Sequence, residues 1–322
     1  MKTTWLGRTG IEVSTLCAGT MAYGGDADEA ASAAMFAACR DAGVNFFDCA
    51  NVYNGGQAEE ILGRLIAGSR DQLVITSKTG YVIGPTGNDR GNNRRHVVAS
   101  VEASLRRLGT DRLDVLFFHK WDPVTPLDEV MRAAEDLVRS GKVLHLGASN
   151  WASWQYMKAN GIAERRGWPP IDVLQPMYSL VKRQAEVEIL PMAESEGLGV
   201  ISYSPLGGGL LTGKYARGPA EDGRLTRDHR YNARYGQEWM HQTAAAFPGL
   251  AEELGHHPVS LAVAWAGAHP GVTCPIIGAR STEQLAPALK AAEIALTDED
   301  YARVSALAIA PPPATDRLEE SV

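Results

Sequence analysis

The sequence has few cysteines, and they follow no metal-binding or disulfide pattern. The four cysteines of this 322-residue chain lie far apart and form no Cys-x-x-Cys pair. In a chain of this length such cysteines are typical of reduced packing residues, which argues against a disulfide framework. No HExxH pair and no cluster of His, Cys and Asp occurs, so no metal site is predicted.

A basic block is also missing. The chain has 31 Lys and Arg against 38 Asp and Glu, a net charge of −7. This balance argues against nucleic acid or an anionic membrane as a partner. Residues 1–14 contain no apolar run of signal-peptide length. Residues 256–279 carry no charged Asp, Glu, Lys or Arg, but prolines and His269 interrupt them. They predict a ten-residue helix and a short strand, and the whole predicts a soluble cytoplasmic protein.

Signatures of nucleophilic and nucleotide-hydrolysing enzymes are absent as well. The sequence has no GxSxG and no kinase signature. The stretch "GGLLTGKY" satisfies GxxxxGK across 208–214, but Tyr215 stands where a P-loop needs Ser or Thr for Mg²⁺. This near match indicates contact with phosphate in general and does not indicate nucleotide hydrolysis.

The chain does contain eight strand-like runs that alternate with helix-like segments. Their near-continuous apolar character is typical of strands buried on both faces of a parallel sheet. The runs are 14–20, 44–50, 72–78, 113–119, 142–149, 171–176, 198–204 and 272–278. Eight uninterrupted β–α alternations predict an α/β fold, a (β/α)8 TIM barrel. The alternative is a doubly wound open sheet, but "AGTMAYGGDA" after the first strand does not fit GxGxxG.

Amphipathic periodicity predicts the helices and the boundaries of the domain. Apolar residues recur at helical spacing in 26–43, 94–109, 126–141 and 185–197. The short β-like pieces of 3–13 predict an N-terminal hairpin at the bottom of the barrel. The long β–α segments 79–93 and 215–239 are candidates for lids or binding loops at the C-terminal rim. We predict a single domain over 1–322, with 309–322 as a loose tail.

Four chemistry-bearing residues follow consecutive strands of this predicted barrel. Asp48 ends the second strand in "FFDCANVYNGG", and Tyr53 lies in the loop after it. Lys78 ends the third strand, and His119 ends the fourth. Because the carboxyl ends of barrel strands share one rim, these side chains are predicted to meet there.

Together these residue types can protonate a carbonyl oxygen. A phenol has a pKa near 10, too high for efficient proton transfer at neutral pH, and a neighbouring ammonium lowers it. A carboxylate keeps the ammonium charged and in place, and an imidazole N–H can orient the carbonyl. The set is general-acid machinery for reducing a C=O group, and it still needs a hydride donor.

At this point the sequence resembles the aldo-keto reductases over about residues 3–305. Their Asp, Tyr, Lys and His tetrad matches Asp48, Tyr53, Lys78 and His119. The resemblance implies that Tyr53 is the proton donor, that Lys78 and Asp48 tune its pKa, and that His119 orients the carbonyl. It is to the larger-subunit bacterial type, related to potassium-channel β subunits, which look different at the histidine position. The implied activity is NADPH-dependent reduction of an aldehyde or ketone, and the alternative is a cofactor-binding regulatory or redox-sensor barrel.

The resemblance also implies an NADP(H) site. "GASN" and "LQPMYSL" would hold the nicotinamide carboxamide, with Tyr178 stacked on the ring. "YSPLGGGLLTGKY" would hold the pyrophosphate, and "IIGARSTEQL" the 2′-phosphate, where the arginine fork favours NADP over NAD. The implied cofactor contacts are Thr20, Met21, Asp48, Ser149, Asn150, Gln175, Tyr178, Tyr203, Ser204, Pro205, Leu206, Gly208, Lys214, Gly278, Arg280, Ser281 and Gln284.

The chain departs from the family pattern at a few positions. Cys49 replaces a threonine after Asp48 and is interpreted as a packing residue. Pro287 and Ala288 stand where Glu and Asn usually hold the adenine, which leaves the strength of the NADP preference open. Trp121 replaces a proline, and with Tyr23 it is a candidate for the wall of the substrate pocket. The expected partner is a small carbonyl compound: aldehydes, ketones, pyridoxal and sugar-derived carbonyls stay open, as does the oligomeric state.

Overall fold

Eight parallel strands close into a barrel in the computed structural model, which describes residues 1–215, 229–317 and 319. Two further strands, β1 and β2, pair antiparallel ahead of it. In chain order the strands are β1 Thr3–Trp5, β2 Glu12–Ser14, β3 Cys17–Gly19, β4 Phe46–Asp48, β5 Val74–Thr79, β6 Leu113–Phe118, β7 Val143–Ser149, β8 Ile171–Gln175, β9 Gly199–Ser202 and β10 Cys274–Ile277. Neighbours follow the chain from β3 to β10, and β10 pairs with β3 to close the ring. The TIM barrel prediction is confirmed, and the open sheet is wrong.

Helices surround the barrel and cover its outer face. They are α1 Glu29–Asp41, α2 Gln57–Ile66, α3 Arg94–Leu108, α4 Leu127–Arg139, α5 Ser153–Arg166, α6 Ile189–Glu196, α7 His229–Tyr235, α8 Glu238–Glu253, α9 Pro258–Ala268, α10 Thr282–Leu289 and α11 Asp298–Ser305. The four predicted helices correspond to α1, α3, α4 and α6. Gly109 ends α3 in the left-handed conformation, with φ 61°, and its N–H bonds the last turn of that helix. The predicted helix and strand of 256–279 are α9 and β10.

Side chains alternate along each barrel strand between the interior and the helix layer. In β6, Val115 and Phe117 belong to an inner apolar cluster, whereas Leu116 and Phe118 pack with the helices. This two-residue period is the geometry of an extended strand. Both faces of β6 are therefore buried, which explains its continuous apolar sequence.

The predicted N-terminal hairpin is confirmed, and it closes the bottom of the barrel. Leu6 and Val13 are fully buried in the inner cluster. The same cluster contains Phe46 and Val74, the first residues of β4 and β5. Fully burying a leucine stabilises a fold by about 1.5–3 kcal/mol. The bottom is therefore an apolar plug.

Two predicted loops differ in how much of them is described. The β5–α3 loop contains a capped turn, in which Thr86 Oγ1 donates to Asp89 Oδ2 at 2.7 Å. Of the segment 215–239, residues 216–228 lie outside the described part of the chain, and α7 follows them. Residues 318 and 320–322 of the predicted tail lie outside it too. Among the described residues, no helix combines the length and apolarity that a membrane crossing requires.

Candidate active site

Inward-pointing positions at the ends of consecutive strands form one polar site at the C-terminal rim. Every second residue of a strand points to the same side, so the inward direction of Phe46 is shared by Asp48 and that of Val74 by Lys78. Counting by twos in the same way leads to four further positions. These are His119, Gln175 and Tyr203, and also Ser149 when the count starts from Gly147, the strand partner of Phe117. The strand period therefore aims all six side chains at the mouth of the barrel.

The Lys78 ammonium joins the carboxylate to the phenol. Lys78 Nζ donates to Asp48 Oδ2 at 2.5 Å, to the Cys49 carbonyl oxygen at 2.8 Å and to Tyr53 Oη at 3.1 Å. The Lys78 and Asp48 side chains are only 0% and 4% exposed. Three ammonium protons thus have three acceptors, which is what a buried charge needs in order to be tolerated.

Asp48 is held from its other side by two neutral donors. Its Oδ1 accepts from Thr76 Oγ1 at 2.8 Å and from Gln175 Nε2 at 2.8 Å. The Thr20 hydroxyl bonds the Asp48 carbonyl at 3.0 Å. These contacts fix the carboxylate in place beneath Lys78, so its charge acts from a defined position.

The pKa values of the pair follow from burial and from each other's charge. Burial lowers the pKa of Lys78, but the charge of Asp48 and its hydrogen bond outweigh burial and raise that pKa above its usual value. Burial raises the pKa of Tyr53 to about 12, while the charge of Lys78 lowers it by less. Lys78 lowers the pKa of Tyr53 in the predicted direction, but burial, the larger effect, outweighs it. At neutral pH the phenol keeps its proton.

His119 faces the Tyr53 ring from the end of β6. The two ring centroids are 5.9 Å apart in an edge-on arrangement, and Asn150 Nδ2 donates to the His119 carbonyl at 2.9 Å. Burial, with the nearby charges of Lys78 and Lys120, holds the pKa of His119 well below 6.5. The imidazole is therefore neutral at physiological pH, and its buried Nδ1 has no hydrogen-bond partner among the described residues.

A left-handed turn positions Tyr53. Asn54, Gly55 and Gly56 have φ values of 48°, 66° and 99°, a run that only glycine and asparagine adopt readily. Asn54 Nδ2 donates to the carbonyls of Met21 and Tyr23, at 3.0 and 2.7 Å. The "YNGG" sequence thus ties the phenol to the loop after β3.

Sequence reasoning missed the residues that support this site. Glu59 of α2 is fully buried, accepts from Ser77 Oγ at 2.5 Å and pairs with Arg107 at 2.7 Å. Tyr81 lies edge-on against His119, with ring centroids 4.5 Å apart. A glutamate on the apolar face of a helix was a readable signal for Glu59, whereas an irregular loop gave none for Tyr81.

Three of the predicted nicotinamide contacts lie together beside the tetrad, with Tyr203 of the predicted pyrophosphate loop next to them. Ser149 Oγ donates to the Gln175 carbonyl at 2.8 Å, and Asn150 Nδ2 donates to Ser149 Oγ at 3.0 Å. Tyr203 Oη donates to Asn150 Oδ1 at 2.7 Å. Tyr203 is partly exposed, so its ring has a surface that a flat ligand can reach.

The loop after β9 presents backbone rather than side chains. Ser204, Gly207, Gly208 and Gly209 all have positive φ, from 57° to 97°. Such runs of left-handed residues turn successive N–H groups into anion-binding concavities. Pro205 and Leu206 belong to this loop, and Lys214 Nζ would lie 3.0 Å from a Cβ on Gly209. The Gly207 and Gly209 N–H groups donate to carbonyls within the loop, and this tight turn brings the Lys214 ammonium against the glycines, which favours an anion beside it.

The predicted 2′-phosphate contacts follow β10. Arg280 is partly buried, and its backbone N–H donates to Gln284 Oε1 at 3.3 Å. Ser281 is the N-cap of α10, where its Oγ accepts from the Gln284 N–H. Gly278 is exposed just before them. This placement fits a guanidinium beside a helix N-terminus, two features that favour an anion.

Two predicted contacts do not fit their places in the structure. Tyr178 is fully buried, its Oη donates to Glu186 at 2.8 Å, and its ring stacks on Trp265 at 5.2 Å. It has no open face for a nicotinamide, so the predicted stacking is wrong, and Tyr203 is the neighbouring ring that is partly exposed. Tyr23 is 3% exposed and packs in the apolar core, which is where the structure places it instead of on an open pocket wall.

The remaining predicted side chains are placed as follows. Trp121 is half-buried, with its ring centroid 5.0 Å from that of Trp151 and 5.6 Å from that of Trp154. Cys49 is buried, and burial raises the pKa of its thiol, so it stays protonated, consistent with its interpretation as a packing residue. Met21 is exposed on the loop after β3.

A parallel barrel that carries a carboxylate, an ammonium, a phenol and an imidazole at its rim is the arrangement expected of a carbonyl-reducing class of oxidoreductases. The aldo/keto reductase family model matches residues 15–309. The chain therefore belongs to the aldo/keto reductase family.

Relatives with other names match along most of their length. The chain is 39% identical to the "uncharacterized oxidoreductase YrpG" of Bacillus subtilis, over 93% of each protein. It is 37% identical to a "probable voltage-gated potassium channel subunit beta" of rice (Oryza sativa subsp. japonica), over 97% of this chain and 98% of the relative. It is 34% identical to a "norsolorinic acid reductase" of Aspergillus flavus, over 92% of this chain and 78% of the relative. The family, the Bacillus subtilis oxidoreductase and the Aspergillus flavus reductase support an oxidoreductase.

Proposed function

We propose that the protein reduces an aldehyde or ketone to an alcohol with NADPH as the hydride source. One observation carries the proposal: Lys78 Nζ bridges a buried Asp48 carboxylate and the Tyr53 hydroxyl, at 2.5 and 3.1 Å. This arrangement keeps a protonated phenol at the rim beside a neutral imidazole, which suits protonation of a carbonyl oxygen.

The chain's own residues would move one proton. The nicotinamide supplies the hydride to the carbonyl carbon when the cofactor is bound. Tyr53 Oη donates its proton to the carbonyl oxygen, and the phenolate left behind keeps its hydrogen bond from Lys78 Nζ. The neutral His119 side chain can hold the same oxygen in line with Tyr53. Because the phenolate forms beside a fixed positive charge, Lys78 stabilises it relative to water.

Cofactor contacts would divide between two sides of the rim. Ser149, Asn150 and Gln175 offer polar groups for a carboxamide, and Tyr203 offers a ring face. The left-handed loop after β9 and Arg280 after β10 would hold phosphates. An arginine suits the additional 2′-phosphate, which is why NADP is proposed over NAD.

A regulatory or sensor barrel is the second candidate. Its support is the likeness to two proteins named as probable potassium-channel β subunits, from rice and from Arabidopsis thaliana, at 37% and 36% identity. The hydrogen-bonded Lys78 and the neutral His119 favour catalysis, because a protein that only binds a cofactor does not need a buried ammonium held against a phenol. The sensor predicts tight cofactor binding without turnover.

The experiment separates binding from turnover. Quenching of intrinsic fluorescence by NADPH and NADH gives the two dissociation constants, and loss of nicotinamide absorbance with a panel of aldehydes and ketones gives turnover. Tighter binding of NADPH with formation of the alcohol supports the proposal. Binding without turnover would favour the sensor, and no binding would contradict both.

A further inference from the structure

A second lysine lies beside His119 on the substrate side of the site. Lys120 Nζ is 5.1 Å from the centroid of the Tyr81 ring, and the edge-on contact joins that ring to His119. Lys120 and Lys78 are the charged groups that act on the pKa of His119, and both lower it. The positive potential next to the imidazole therefore comes from one lysine inside the site and one at its edge.

The two lysines differ in their partners. Lys78 Nζ has three oxygen acceptors. Lys120 is only partly buried, and among the described residues no carboxylate lies within ion-pair distance of it. Its ammonium rests on an aromatic face instead, a contact that leaves its hydrogen-bond donors available.

The barrel order separates Lys120 from the phosphate-binding loops. Lys120 follows β6, and in the ring of eight strands β6 stands directly across from β10. The phosphate contacts proposed for the cofactor lie after β9 and β10. A cofactor seated along that side would keep its phosphates across the mouth from Lys120, which would leave Lys120 on the side open to the substrate.

Apolar and aromatic side chains neighbour Tyr81 and Lys120 along the chain. Val82 and Ile83 are about half exposed next to Tyr81. Trp121 follows Lys120 directly and is half-buried against other tryptophans. Neighbouring exposed apolar residues beside a reactive site can form part of a ligand-binding surface. The surface suits a flat ring rather than a hydrated chain.

We propose that Lys120 and Tyr81 form a subsite for an acidic group on the substrate, which would be an aromatic carbonyl compound that also carries a carboxylate. The proposal rests on the reductase function proposed above. His119 and Tyr53 hold the carbonyl oxygen, the ring lies against the loop of Tyr81, and the carboxylate reaches the Lys120 ammonium. A charge-assisted hydrogen bond at a partly buried position is one of the stronger polar contacts available.

The test compares each acid with its own neutral ester. The substrates are 3- and 4-formylbenzoate and their methyl esters, and the readout is the ratio of kcat/KM for acid over ester. We expect the better acid to exceed its ester by about tenfold or more at low salt, and we expect salt to reduce that ratio. A ratio near one in both pairs would overturn the subsite.

Variants assign the ratio to this lysine. Lys120→Met should bring the acid-to-ester ratio close to one, and Lys120→Arg should restore most of it. Lys158→Met is the matched control, since Lys158 is an exposed lysine of α5 and its loss changes the net charge equally. An unchanged ratio in Lys120→Met, or an equal fall in Lys158→Met, would overturn the assignment.

A third comparison tests the aromatic part. 4-Formylbenzoate should have a kcat/KM several-fold above that of 4-formylcyclohexanecarboxylate, and Tyr81→Leu should reduce that preference. Equal use of both acids would contradict the flat-ring requirement. If none of the acids or esters is reduced although NADPH binds, the reductase function itself fails. If acids and esters are reduced equally, only the subsite fails.

Discussion

The two ends of the barrel interior are built from the same strands and have opposite chemistry. At the bottom, Leu6 and Val13 of the hairpin meet Phe46 and Val74 in a fully apolar plug. At the top, two residues after Phe46 and four after Val74, the same strands place Asp48 and Lys78 in a buried ion pair. Along each of these strands the inward-facing residue therefore changes from an apolar core residue to a charged site residue within one or two inward positions.

This comparison shows how the fold separates stability from reactivity. Burial of apolar surface stabilises the bottom without any directional requirement. Burial at the top costs desolvation of two charges, which only complete hydrogen bonding offsets. Substitutions at the two ends should therefore have different signatures, and the following predictions test that difference.

Removing Lys78 should have the largest effect, because it affects both stability and chemistry. Lys78→Met leaves Asp48 buried without its cation, which typically costs about 3–5 kcal/mol. Tyr53 also loses the charge that lowers its pKa, so reductase activity should fall by about 100-fold or more. Urea denaturation and NADPH oxidation measure the two effects, with Lys158→Met as the control. A stable and active Lys78→Met protein would show that the ion pair is dispensable.

Truncating a side chain of the apolar plug should lower the free energy of unfolding without changing the activity. Leu6→Ala removes a fully buried side chain and should cost about 2–5 kcal/mol of unfolding free energy. The activity of the folded fraction should stay within about twofold, since Leu6 lies at the opposite end from Tyr53. Leu144→Ala, at a leucine that is 41% exposed, is the matched control. A fall in kcat without a loss of stability would mean that the two ends are coupled.

The two tyrosines that were candidates for cofactor stacking should separate in a binding experiment. Tyr178→Phe removes the hydrogen bond to Glu186 and should cost about 1 kcal/mol of stability, with the cofactor dissociation constant unchanged. Tyr203→Leu removes an exposed ring face and should weaken cofactor binding by about tenfold. Fluorescence titration with NADPH distinguishes them. The opposite result would return the stacking role to Tyr178.

The smallest expected effect is that of pH. The pKa of Tyr53 is raised to about 12, so the phenol stays protonated at lower pH. The pKa of His119 is held well below 6.5, so the imidazole stays neutral above that value. Between pH 6.5 and 9, kcat for carbonyl reduction should therefore vary less than about threefold, and it should fall only as the pH rises toward the Tyr53 pKa. An inflection near pH 7 would mean that a different group donates the proton.

The same comparison explains what the sequence made predictable. The eight strands and the Asp48, Lys78 and His119 positions were readable because a buried strand that ends in an ionisable residue breaks its own apolar pattern. The two-residue strand period then sets the direction in which each side chain points. The fold and the three strand-end members of the tetrad follow from these local rules, whereas Tyr53 lies in a loop that they do not cover.

The direction of a side chain beyond the end of its strand could not be predicted from the sequence. Tyr178 lies three residues past the end of β8, where the period no longer applies, and its ring turns toward Trp265. Tyr23 likewise follows a strand and packs among the helices. The net pKa of Tyr53 depended on how completely the fold buries the phenol, a property of the whole site and not of Lys78 alone.

The most direct test of the central claim is the rate of carbonyl reduction by Tyr53→Phe loaded with NADPH, compared with the intact protein in a single turnover. If the Tyr53 hydroxyl held by Lys78 is the proton donor, the rate should fall by about 100- to 10,000-fold while the NADPH dissociation constant changes by less than about twofold. A variant that keeps more than about a tenth of the rate would contradict this account.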